Sequence, residues 1–178
     1  MSNELSPLPQ QLPDQQSPLV DAFATTPHAR AAARLLEYQR DRFVAFAAHA
    51  TVELIENPPL IPVPGAPYYC RGLMAWQGQH IPLIDLQTLL RAYPTELLAK
   101  APVHVLVVAF QRAPYAPLEY GALCAPSLVR MVQVTDDQAC ALPQDSDLWQ
   151  WIAASCFSYV GHAVPILDVA KLFTQSHL

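Results

Sequence analysis

The sequence predicts an all-β protein with a few short helices, a barrel or sandwich divided between two related lobes. Three observations carry this. Short apolar runs recur along the chain, separated by proline-bearing turns. The 178 residues are 52% hydrophobic and only 14% charged, enough for a sizeable core and incompatible with wholesale disorder. Finally, the stretch Gly78-Gln-His-Ile-Pro-Leu-Ile-Asp-Leu-Gln-Thr-Leu-Leu90 returns 83 residues later as Gly161-His-Ala-Val-Pro-Ile-Leu-Asp-Val-Ala-Lys-Leu-Phe173. Glycine, proline, aspartate and the penultimate leucine coincide, and apolar character is kept at Ile81/Val164, Leu83/Ile166 and Leu86/Val169, as two copies of one supersecondary unit would require.

Residues 1–27 hold five prolines, four glutamines and three acids, and read as a flexible tail that cannot bury enough surface to offset its ordering entropy. The folded part is expected over 28–175. Thr26-Pro27 is a good helix start, and the alanine-, leucine- and arginine-rich run His28 to Gln39 places Ala32, Leu35, Leu36 and Gln39 at helical spacing. A partial helix is expected there, with a first strand as the alternative. Strands are then expected at Phe43 to Ala47 and Thr51 to Ile55. Five prolines between Asn57 and Pro67 exclude a helix or a central strand and leave an extended surface loop. Leu73 to Trp76 and Ile81 to Ile84 flank the Gly78 turn. Val103 to Phe110 is nearly unbroken in apolar character, which implies a strand buried on both faces. Leu118 to Ala125, Val129 to Val134 with Arg130 and Gln133 facing outward, Cys156 to Val160 and Ala163 to Leu167 complete the series, and the acidic stretch Asp136 to Asp147 reads as a solvated loop.

The net charge is −5 and the ten basic residues form no cluster, so the footprint of a nucleic-acid binder is missing. The N-terminus has no signal-peptide pattern, and the cytoplasm is the expected compartment. Leu148 to Leu167 carries no formal charge, but its polar residues, Gly161 and Pro165 mark a core segment rather than a membrane span. Cysteines 70, 124, 140 and 156 show no metal-ligand or thioredoxin-like spacing and are expected to be buried free thiols; no metal or cofactor is implied. Asp85 and Asp168 could be paired carboxylates. Their equivalent places before a helical turn make them caps instead. Phosphate-binding glycine motifs and an ordered nucleophile, base and acid are also missing, so catalysis is not expected.

The stretches Glu53-Leu-Ile-Glu, Val63-Pro-Gly-Ala-Pro67, Arg71-Gly72, Gly78 and Ile81-Pro-Leu-Ile-Asp-Leu86 resemble the CheW-like domain of bacterial chemosensory systems. The tail Ala163-Val-Pro-Ile-Leu-Asp-Val-Ala-Lys-Leu-Phe173 looks like that family's closing strand and helix. The likeness runs from about Leu35 to Phe173 and is weakest between 111 and 150. It implies two five-stranded SH3-like barrels around a shared hydrophobic core. It also implies a non-enzymatic adaptor, without cofactor, that joins the cytoplasmic tip of a methyl-accepting chemoreceptor to the regulatory domain of a CheA-type histidine kinase in membrane-associated arrays. The Glu-Leu-Ile-Glu form is similar to relatives in twitching and type IV pilus systems.

Carried over by position, Thr51, Glu53 and Gly72 fall where the family's partner-sensitive residues lie. Leu54, Arg71 and Gln77 complete the expected partner-binding set. Two departures stand out: the family's N-x-R-G reads Ala75-Trp76-Gln77-Gly78, so an uncharged amide replaces an arginine, and Ala125 lies where the mid-domain acid is missing. These departures open the alternative of a CheW-like module turned to another assembly or to inhibition. A small barrel ligand binder or enzyme using cysteine and histidine is the remaining alternative.

Overall fold

The computed structural model describes residues 29–91, 104–126 and 129–174. The segment read as a tail lies outside them. Strands β1 (Arg30–Gln39), β2 (Arg42–Ala47), β3 (Thr51–Glu56), β4 (Leu60–Ile61), β5 (Cys70–Trp76) and β6 (Gln79–Ile84) lead to helix α1 (Leu86–Arg91). After β7 (His104–Phe110), β8 (Glu119–Cys124) and β9 (Arg130–Thr135) come the short α2 (Trp149–Ile152), β10 (Ala153–Tyr159), β11 (His162–Leu167) and α3 (Val169–Thr174). One sheet has the order β3-β7-β8-β6-β5-β4, and the other β9-β1-β2-β11-β10.

The two orders describe one unit built twice. The repeated sequence is realised element by element: β5, β6 and α1 recur at the same 83-residue offset as β10, β11 and α3. Each hairpin turns through two residues with positive φ, Gln77-Gly78 and Val160-Gly161, the pattern of a primed two-residue turn that glycine adopts without cost. In the first lobe β6 pairs in parallel with β8 (Leu83 opposite Ala122). In the second, β11 pairs in parallel with β2 (Ile166 opposite Ala45). The second lobe therefore takes β9, β10, β11 and α3 from the end of the chain and closes on the β1–β2 hairpin from its beginning.

The run 28–39 is a strand from Arg30, not a helix. Its neighbours decide this: β2 pairs along one edge and β9 along the other, so the backbone groups of β1 are used in ladders on both sides. Its side chains alternate accordingly. Ala33 and Leu35 enter the interior of the second lobe, while Leu36 and Tyr38 enter the core between lobes. A helix would bury a single stripe and leave half of these residues in water. Strand β7 behaves in the same way, with Val105 and Val107 inside the first lobe and Leu106, Val108 and Phe110 in the shared core.

Three apolar clusters result. Met74, Trp76, Ile81 and Leu83 fill the first lobe with Val105 and Val107; Ala33, Leu35, Ala45, Phe157 and Val164 fill the second. The largest cluster joins them, with Leu86 and Leu89 of α1, Val169 and Leu172 of α3, and the fully buried Trp149. Phe173 stacks on Phe110 across the seam, ring centroids 5.3 Å apart. Among the described residues, the expected count of five strands per lobe holds for the second lobe; in the first, β4 adds a sixth. Four prolines flank β4 at 58, 59, 62 and 64, and only an edge position tolerates them. Among the cysteines, 124 and 156 are buried as expected, whereas 70 and 140 are partly exposed.

Candidate partner-binding surface

Among the described residues, strand β3 lies at the edge of its sheet, with only β7 beside it. Such an edge offers a row of unpaired backbone donors and acceptors to another chain. The strand starts at Thr51, whose hydroxyl donates to the Ala48 carbonyl at 2.7 Å and closes the preceding turn. A bulge between Thr51 and Glu53 then resets the register. Beyond the bulge Glu53 and Ile55 share one face of the strand, and Ile55 packs against the first-lobe core. Leu54 faces the other way and is 39% exposed, beside Val52, which is similarly exposed.

Glu53 is engaged within the chain. Its Oε2 accepts a hydrogen bond from the Trp76 indole N–H at 2.8 Å, and Trp76, only 6% exposed, packs on Tyr120. Strands β3 and β5 are not neighbours in the sheet. This bond therefore ties two separated strands of the first lobe across its rim.

Arg71 and Gly72 form a second bulge, on β5 between Cys70 and Gly72. The Arg71 guanidinium turns inward and donates to Asp85 Oδ2 at 3.3 Å, with side chains 9% and 17% exposed. Asp85 Oδ1 accepts the Thr88 N–H at 3.2 Å, the bond of a helix cap. Asp168 does the same for Lys171 at 3.1 Å. Gly72 has φ +129°, and a Cβ there would sit 2.5 Å from the Ile61 carbonyl oxygen of β4. Two of the expected contact residues are thus committed to holding the lobe together. Arginine in that inward position leaves little cation for a partner.

Gln77 stands exposed at the tip of the β5–β6 hairpin, next to exposed Ala75. The expected set is consequently divided between Leu54 and Gln77, which are exposed, and Glu53, Arg71 and Gly72, which are engaged within the chain although Glu53 lies at the surface. Thr51, half-buried, caps the strand. Val52, Ile61 and Val63, outside the expected contact set, are exposed as well. In the sequence they sit among other apolar residues, and only their solvent exposure distinguishes them. Trp149 belongs to the shared core, its indole N–H bonded to Asp145 Oδ1 at 2.7 Å, whereas Trp151 is 62% exposed. Asp145 also pairs with Arg42, which ties the loop before α2 to the β1–β2 hairpin.

Among the described residues, no cluster of histidine, cysteine and carboxylate has the arrangement of a metal site, and no helix is long and apolar enough to cross a membrane.

A family model described as the CheW-like domain matches residues 36–177. The crystal structure of a scaffolding protein, TtCheW, from Thermoanaerobacter tengcongensis superposes with a TM-score of 0.66. It shares 11% identity with this chain, and the match covers 84% of this chain and 97% of that one. No curated protein matches the sequence.

Proposed function

The chain belongs to the CheW-like domain family, and on that premise we propose that it is a non-enzymatic adaptor joining the regulatory domain of a CheA-type histidine kinase to the cytoplasmic tip of a methyl-accepting chemoreceptor. The observation that carries the reading is the family match itself, which spans both lobes rather than one. The adaptor acts by protein binding alone, needs no cofactor or metal, and works in the cytoplasm, associated with receptor arrays through its partners.

In this reading the β3 edge meets the kinase domain, and the seam between lobes receives the receptor's helical hairpin. Leu54 and Val52 supply exposed apolar contact, and an edge strand can add main-chain hydrogen bonds. Glu53, Arg71 and Gly72 shape that surface from behind through Trp76, Asp85 and Ile61. The test is a pull-down of a kinase regulatory domain and a receptor tip from the same cell, repeated with Leu54→Lys. Capture of both, with kinase affinity falling about tenfold or more in the variant, is the expected result. Capture of neither refutes the adaptor reading.

A second reading, a module serving another assembly or an inhibitory role, draws on Gln77, the amide at the hairpin tip where the family carries arginine. An amide can hydrogen-bond but cannot form a bidentate ion pair. Under the coupling reading, Gln77→Arg strengthens receptor binding or kinase output; no change in either favours the second reading.

A further inference from the structure

Two of the four cysteines face each other. Ala139 and Phe157 form an antiparallel bridge, which sets Cys140 directly opposite Cys156, and the Cys140 N–H donates to the Cys156 carbonyl at 3.1 Å. Directly opposed antiparallel residues have Cα atoms about 4.5–5.5 Å apart, inside the window a disulfide accepts. The sulfurs are already in contact at 3.4 Å. We propose that Cys140 and Cys156 are a reversible oxidation site, a dithiol that a peroxide converts to a disulfide and a dithiol reductant restores.

The chemistry balances with hydrogen peroxide as the two-electron oxidant. Cys140, the partly exposed member, gives up its thiol proton and its thiolate attacks one peroxide oxygen; the O–O bond breaks, the departing hydroxide takes up that proton and leaves as water, and Cys140 is left as a sulfenic acid. The Cys156 thiol then attacks that sulfur, giving up its proton as the hydroxyl departs as a second water. Two thiols and one peroxide become one disulfide and two waters. Burial, and next the contact with Cys140, push the Cys156 thiol up to about 12, which leaves the first attack to Cys140. A cavity of about 270 Å³ lined by Ala139, Ser155, Cys156 and Phe157 lies on the Cys156 side of the pair.

The bond would staple the segment after β9 to β10. The ring it closes contains Asp145, the partner of Arg42 on β2, and Trp149 in the shared core, so oxidation clamps this segment onto the second lobe and the core. None of this depends on which partners the surface binds.

The full chain is treated with one to a few equivalents of hydrogen peroxide, then followed by intact mass, non-reducing peptide mapping and hydrogen exchange. Expected are loss of two hydrogens, a peptide linking Cys140 to Cys156, and reversal by dithiothreitol. Exchange across 141–148 should slow about tenfold or more. Cys140→Ser abolishes the mass change and Cys70→Ser leaves it intact. Sulfinic acid at Cys140 without a cross-link, a bond through Cys70 or Cys124, or a cross-link that leaves exchange unchanged would each overturn the proposal. Mapping the unmutated chain decides even if Cys140→Ser folds poorly.

Discussion

Replacing Glu53 with alanine takes the acceptor away from an indole N–H that has little access to water. Trp76 is 6% exposed, and its bond to Glu53 Oε2 is 2.8 Å long. Hydrogen bonds to charged groups contribute about 1.5–3 kcal/mol, and stranding a buried donor costs about 1–3 kcal/mol. Glu53 itself lies at the surface, where water can partly replace it, so the lower part of the range applies: about 1–2 kcal/mol. For a chain of this size that lowers Tm by about 2–8 °C, measurable by far-UV circular dichroism or a urea titration. The test is a double-mutant cycle with Trp76→Phe, which keeps a ring in the core but removes the donor. The two changes delete one bond, so the double variant should be less destabilised than the sum of the single ones by about 1 kcal/mol. Glu53→Gln keeps an acceptor oxygen and should recover most of the loss. Additivity within about 0.3–0.5 kcal/mol would refute the tie between β3 and β5 and return Glu53 to the role of a solvated carboxylate.

Three other outcomes follow from the same geometry. Gly72→Ala should cost about 3 kcal/mol or more by urea denaturation, since its Cβ meets the Ile61 carbonyl at 2.5 Å as well as an unfavourable φ; Gly78→Ala, with φ +78° and open space around it, should cost about 1 kcal/mol. Asp85→Ala should destabilise by about 2–3 kcal/mol and Asp168→Ala by about 1, measured the same way, because only the first loses a buried arginine's counter-ion together with a helix cap. Burial, and next the Asp85 carboxylate, push the Cys124 thiol up to about 12 from an ordinary 9.0. The unfolded chain therefore releases this proton first. The contribution of Cys124 to stability is complete below about pH 9 and declines as pH rises toward 12, by about 1.4 kcal/mol per unit. Urea midpoints at pH 8 and pH 10 should converge in Cys124→Ala relative to the unmodified chain, and an identical decline in both would contradict the shift.

Much of the first lobe was legible because its signals are local. Val103 to Phe110 announced a doubly buried strand through continuous apolar character, and the prolines of 57–67 excluded a helix or a central strand, although the loop expected there also holds the two-residue edge strand β4. Gly78 and Gly161 marked the hairpin turns, and Asp85 and Asp168 stand before their helical turns as the repeat predicts. Site residues were less legible. Arg71 looks like an available cation in the sequence, yet a one-residue bulge turns it onto Asp85, and a bulge leaves no mark in the order of residue types. Similarly, nothing in a spacing of sixteen residues foretells that Cys140 and Cys156 oppose each other; a single bridge outside the main strands brings them together.

By itself the sequence determined the material of this protein: apolar runs of strand length, turn glycines, loop prolines and a unit repeated at a fixed offset. Those follow from short-range chemistry, since φ preferences, missing amide protons and side-chain alternation are properties of neighbouring residues. Only the tertiary structure decided how the second copy is completed. Its closing strands lie at the opposite end of the chain, joined by the contact of Ile166 with Ala45. Pairing with β2 and with the distant β9 is likewise what makes 30–39 a strand. Alanine, leucine and arginine favour a helix in isolation, but two flanking ladders and two apolar interiors outweigh a propensity worth only tenths of a kcal/mol per residue.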